Sequence, residues 1–149
     1  MAVTLTAHAE RFPLREAFTI SRGSKTETDV VVAELRAGEH VGRGEGGPNV
    51  RYDETPASVV AQIVAMEKAV AGGLDRAGLQ DAMPPGAARN ALDCAFWDLE
   101  ARRSGTPVWR LAGLAAEPAA VLTAFTLSAA APAAMQDAAR RNAGRPLLK

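Results

Sequence analysis

Apolar and polar residues alternate from the start of the chain. Val3, Leu5, Ala7 and Ala9 interleave with Thr4, Thr6, His8 and Glu10, a period of two that predicts a half-buried strand. Phe12-Pro13-Leu14 interrupts it, and Phe18–Lys25 predicts a loop pivoting on Gly23. The β-branched run Val30-Val31-Val32 sets a second strand over Asp29–Arg36. Ala37-Gly38-Glu39 turns the chain, and His40–Glu45 returns as a third strand. Three consecutive strands on short links predict an antiparallel meander.

The period then changes to that of a helix. Thr55 is placed to cap a helix with Pro56 at its first position, and Val59, Val60, Ile63, Met66 and Val70 form one apolar stripe ended by Gly72-Gly73. Leu74–Gly86 predicts a loop with room for a short helical turn. Ala88, Leu92, Ala95, Phe96 and Leu99 recur on one face of a second helix, with Asp98 and Arg102 paired four apart. Gly105 and Pro107 stop it.

Beyond Ala120 the pattern changes again. Val121–Ser128 predicts a strand, Pro132–Asn142 a helix capped by Gly144, and Arg145–Lys149 the start of another strand. Strand, helix, strand at this spacing is a βαβ unit of a parallel sheet. A βα barrel needs eight such units and about 250 residues. About one unit is present, so the chain reads as the front portion of a longer enzyme.

Composition narrows the class. The 149 residues hold 17 basic and 17 acidic side chains with no basic run, which gives no footing for nucleic acid or an anionic membrane. No stretch approaches the roughly 20 apolar residues of a membrane span, and no basic-then-apolar leader opens the sequence. The single cysteine, Cys94, has no internal partner, and its place beside Ala95 and Phe96 suits a packed thiol. The expectation is a soluble, cytoplasmic protein.

Few chemical motifs stand out. Gly42, Gly44 and Gly47 satisfy G-x-G-x-x-G, but Pro48 and a polar loop follow where a nucleotide site needs a helix N-terminus. His8 and His40 lack the spacing of a zinc site, and no nucleophile elbow or cysteine–histidine pairing is present. Asp93 and Asp98 fit caps and ion pairs better than metal ligands.

The segment ARNALDCAFWDLEARRSGTPVWRLAG carries more. Its A-x-D-x-A-x-W-D-L core (Ala91, Asp93, Ala95, Trp97, Asp98, Leu99), followed by Gly105, Pro107, Leu111 and Gly113, resembles the link between capping domain and barrel in the enolase superfamily, muconate-cycloisomerase-like subgroup. The stretch FPLREAFTISRGSKTETDVVVAEL resembles the specificity loop of the dipeptide epimerase branch. The resemblance implies an α+β capping domain over residues 1–113, a three-stranded antiparallel meander followed by helices. It is joined to the start of a βα (TIM-like) barrel over residues 114–149.

From the residues alone, Lys149 is a solvated lysine, Arg22 an exposed turn arginine and Thr126 a β-branched strand former. The resemblance implies more for each. Leu148-Lys149 stands where an L-K-x-K strand begins, so Lys149 becomes the first lysine of the catalytic strand, lining the site beside the acid/base lysine two residues on. Lysines at i and i+2 share a strand face, and each cation makes the other easier to deprotonate. Arg22, in Ile20-Ser21-Arg22-Gly23, becomes the group that binds the acidic end of an Ala-Glu-type dipeptide, a bidentate task suited to guanidinium. Thr126, near the C-terminal end of the first barrel strand, helps to hold that dipeptide. Arg51 and Tyr52 fall in a second capping loop.

The implied reaction removes the proton α to a carboxylate and returns it to the other face through an enediolate, with Mg2+ as cofactor and its ligands beyond residue 149. The implied partner is a small dipeptide, with no nucleic acid or membrane, and a homo-oligomer is compatible with it. The alternatives are another enzyme of the subgroup (cycloisomerase, o-succinylbenzoate synthase or N-acylamino-acid racemase), or a non-catalytic capping module if the chain really ends at Lys149.

Overall fold

The computed structural model describes residues 2–149 and opens with β1 (Thr4–Ile20), β2 (Gly23–Ala37) and β3 (His40–Gly46), in the sheet order β1-β2-β3. β2 and β3 are antiparallel, with Val32 opposite Glu45 and Leu35 opposite Gly42. Two-residue links, Ser21-Arg22 and Gly38-Glu39, make both turns, and Gly38 takes the positive φ of 64° that such turns require. The meander is the one the alternation predicts.

Its first hairpin is longer than that. In place of a break at Phe12-Pro13-Leu14 and a loop over Phe18–Lys25, β1 and β2 run on to a tight turn. Pro13 fits because β1 is an edge strand, where a missing N–H can leave the ladder intact. Threonine, isoleucine and phenylalanine near the tip are good strand formers, and they prevail over the glycine and the charges.

The chain divides into two compact units. The first takes the residues up to Arg11 and Asp29–Glu117; the second takes Phe12–Thr28 and Pro118–Lys149. The first contains the apolar core. Leu5, Val31, Ala33 and Leu35 face it from the sheet, and no polar or charged residue is buried among the described residues.

Four helices of the first unit close over that core, and a short fifth follows them. The stripe from Val59 to Val70 forms two helices rather than one, α1 (Pro56–Val64) and α2 (Glu67–Ala71). Thr55 and Ser58 make a reciprocal capping box at the start of α1. The expected loop after it contains α3 (Arg76–Ala82), capped by Asp75 and anchored by the fully buried Leu79. The long α4 (Ala87–Ser104) buries Ala88, Ala91, Leu92, Ala95, Phe96 and Leu99 and ends at Gly105 with φ 67°, as the pattern predicts. The short α5 (Val108–Leu111) follows Pro107.

The packing of α4 on β3 explains the glycines. A Cβ on Gly42, Gly44 or Gly46 would strike the carbonyl oxygen of Ala95, Ala91 or Ala87 respectively. Two residues of strand advance about 6.7 Å and four residues of helix about 6 Å, so the two repeats run in step, in opposite directions. The glycine run is a seat for a helix backbone. It is not a phosphate cradle.

Cys94 is exposed, contrary to the packed thiol expected of it. It falls beside the buried stripe of α4 rather than on it. Partial burial, with help from the charge of Asp93, pushes its thiol above the usual range.

In the second unit α6 (Pro132–Arg141) stands at the expected place, with Asn142 as its C-cap instead of Gly144. The predicted flanking strands reduce to a single parallel bridge between Phe125 and Leu148. Its parallel sense is that of a βαβ unit. The strands do not extend because parallel strands need both faces covered, whereas Val121 and Leu122 are largely exposed. Among the described residues no helix is long and apolar enough to cross a membrane.

Candidate active site

Arg22, Thr126 and Lys149 all belong to the second unit. Around the Phe125–Leu148 bridge, Phe125 N–H donates to Leu147 O, Lys149 N–H to Phe125 O, and Leu127 N–H to Lys149 O, each at 2.9 Å. Thr126 and Lys149 each lie one residue past the bridged pair. They therefore project from the same face of these paired segments, with the Lys149 backbone bonded on both sides of Thr126. Both side chains are exposed.

Arg22 stands apart from this pair, in the two-residue tip of the β1–β2 hairpin. It is exposed, and no carboxylate among the described residues pairs with it. Gly23 beside it has φ 148° and open space where a Cβ would sit. Thr19 Oγ1 donates to Ser24 Oγ at 2.8 Å, tying the two arms below the tip. The outer edge of β1 is occupied as well: Ser128 and Ala129 bond to Ala17 and Thr19, a contact with no signal in the sequence.

A hollow of about 890 Å3 lies within this unit and includes Thr126 in its lining, but neither Arg22 nor Lys149. Its charged lining groups are Arg15, Lys25, Arg141 and Arg145 against the one acid Glu16, so its field favours an anion. The Arg145 guanidinium stacks 3.9 Å from the centre of the Phe125 ring, and its Nε donates to Asn142 Oδ1 at 3.0 Å.

The other residues weighed from the sequence lie in the first unit. Arg51 and Tyr52 sit in a 3-10 turn (Val50–Tyr52), fully outward. The turn is braced by Glu54, whose carboxylate accepts from Asn49 N–H at 2.9 Å and from Ala87 N–H at 2.7 Å, so it also caps α4, where Gly86 offers no side chain. Asp98 accepts from Arg43 N–H and from Arg102 Nε, both at 2.9 Å, the ion-pair role expected of it. Burial alone would raise its carboxyl; the Arg102 and Arg43 hydrogen bonds and charges outweigh burial and hold it below the usual range. Among the described residues no group of three His, Cys, Asp or Glu side chains is placed to hold a metal ion.

Three antiparallel strands followed by helices make up the α+β arrangement expected of the capping domain. Residues 2–113 match the family model "Mandelate racemase / muconate lactonizing enzyme, N-terminal domain". The chain belongs to that family, within the enolase superfamily.

Among its relatives, the L-Ala-D/L-Glu epimerase of Escherichia coli (strain K12) is 44% identical over 148 residues, 98% of this chain and 46% of that protein. An enolase family member from Agrobacterium tumefaciens with homology to dipeptide epimerases, solved with bound sodium and L-Ala-L-Glu with an ordered loop, matches with a TM-score of 0.91 at 48% identity. That match covers 98% of this chain and 44% of the other. The dipeptide epimerase from Enterococcus faecalis V583, complexed with Mg and the dipeptide L-Leu-L-Tyr, matches at 0.83 and 28% identity, over 99% of this chain and 45% of that one. The chain thus spans less than half the length of these relatives.

Proposed function

We propose that this chain supplies the substrate-gripping hairpin and the first catalytic strands of a dipeptide epimerase acting on an Ala-Glu-type substrate. On this reading residues 1–113 are the capping domain, and residues 114–149 are the first strand, the first helix and the start of the second strand of a βα barrel. What supports it is the 44% identity to an L-Ala-D/L-Glu epimerase, together with Thr126 and Lys149 on one face of the paired segments and Arg22 at the hairpin tip of the same unit.

Each residue has a task its chemistry suits. Arg22, with no carboxylate of its own, takes the side-chain carboxylate of the substrate glutamate in a two-pronged grip. Thr126 offers a hydroxyl that donates or accepts toward the dipeptide backbone. Lys149 presents its ammonium on the same face, beside the amine that takes the α-proton, and eases deprotonation of that neighbour by charge repulsion. Inversion follows when a second acid, on the opposite face of the α-carbon, delivers a proton there. Magnesium, which the E. faecalis relative binds, would lower the energy of the charge built up on the substrate carboxylate. No residue of this chain is assigned to it, and no step here depends on it.

The test is exchange in deuterated water. The whole protein should replace the glutamate α-proton of L-Ala-L-Glu with deuterium and accumulate L-Ala-D-Glu, both read by proton NMR. Turnover of a cycloisomerase or o-succinylbenzoate precursor with no change in the dipeptide would overturn the reading.

A further inference from the structure

The outer edge of β1 has no strand to bond, because β1 ends the sheet. Within the second unit one side chain takes up much of that edge. Ser128 Oγ accepts the Thr19 N–H at 2.7 Å and donates to Ala17 O at 2.8 Å, and Ala129 N–H donates to Thr19 O at 2.9 Å. A hydroxyl is suited to this double role, since it carries one donor and two acceptor sites. The clasp lies three residues before Arg22 on the hairpin and two residues after Thr126 on the other segment. That segment is held in turn by the bonds of Phe125 and Leu127 to Leu147 and Lys149.

We infer that Ser128 is a positioning residue that fixes the hairpin tip carrying Arg22 to the paired segments carrying Thr126 and Lys149, and so sets selectivity for a substrate with an acidic side chain. This rests on the epimerase reading. Without the clasp, the edge of β1 must find water, and the tip samples more positions for the same reach to a remote carboxylate. A remote grip lost in this way weakens binding in ground and transition state alike, so KM rises while kcat is kept.

The experiment compares the whole protein with its Ser128→Ala and Ser128→Thr variants on L-Ala-L-Glu and on L-Ala-L-Gln, which lacks the charge. Two hydrogen bonds of ordinary net strength correspond to a rise of up to about thirtyfold in KM for L-Ala-L-Glu in Ser128→Ala. The KM for L-Ala-L-Gln and both kcat values should stay within about twofold, and Ser128→Thr, which keeps the hydroxyl, should restore the wild-type ratio. Hydrogen exchange supplies a readout independent of turnover: Ser128→Ala should speed exchange at Thr19 while the amide of Leu92, in the core, keeps its protection. Equal KM changes on both dipeptides, or unchanged Thr19 exchange, would overturn the clasp and leave the epimerase reading standing. Wild-type protein inactive on both dipeptides would overturn that reading, and the inference with it.

Discussion

The two units of this chain are held together by different forces. In the first, β1 to β3 and α1 to α4 bury a dry cluster in which Val31, Ala33, Leu35, Val59, Ile63, Leu79, Ala91, Leu92 and Ala95 have no exposure at all. In the second, not one described residue is buried. Its order comes from the Phe125–Leu148 bridge, the Ser128 hydroxyl and a stacked arginine. Burial of a leucine is worth about 1.5–3 kcal/mol, whereas a hydrogen bond nets only about 1. Burial therefore supplies most of the stability of the first unit, and hydrogen bonds and ring contacts order the described residues of the second.

The largest expected effect tests the scaffold. Leu92→Ala empties a fully buried site on α4 and should lower unfolding free energy by about 2–5 kcal/mol in denaturant titration. Gly44→Ala comes next. Its methyl meets the carbonyl of Ala91, so α4 must lift from β3, at about 1–3 kcal/mol. If Gly44→Ala were neutral, the step-for-step seating of helix on strand would be wrong.

A smaller effect depends on pH. The Asp98 carboxyl is held below its ordinary value in the folded protein, so the unfolded chain takes up its proton first as pH falls. Its contribution is fully present above the ordinary value of 3.8 and disappears as pH drops through the lower, folded value. Asp98→Asn should be less stable than wild type by about 1 kcal/mol near neutral pH. In acid titrations followed by circular dichroism the gap should close below about pH 4. A gap that stayed constant into acid would rule out the charge as its source.

This contrast also explains what the sequence reveals. The meander, the α4 stripe, the Gly105 stop and the Thr55 cap are legible because period and capping chemistry are local, and the core enforces both. The role of Gly42, Gly44 and Gly46 is not, since it depends on a helix 41 to 53 residues further along the chain (Gly46 to Ala87, Gly42 to Ala95). The extended hairpin is hidden for a related reason: Pro13 reads as a break until β1 is known to be an edge. Of the proposed site, the family-like motifs single out Arg22, Thr126 and Lys149 as expectations, whereas nothing in the pattern marks Ser128, whose partners lie more than 100 residues away (109 to Thr19 and 111 to Ala17).

The most direct test asks whether the unit that contains Arg22 recognises an acid. Arg22→Met removes the guanidinium from the exposed tip, where no carboxylate among the described residues pairs with it. In the whole protein, kcat/KM for L-Ala-L-Glu should fall by about 10- to 100-fold, the worth of a charge-assisted pair, while kcat/KM for L-Ala-L-Gln stays within about twofold. Unchanged turnover of L-Ala-L-Glu, or an equal fall on both dipeptides, would contradict it.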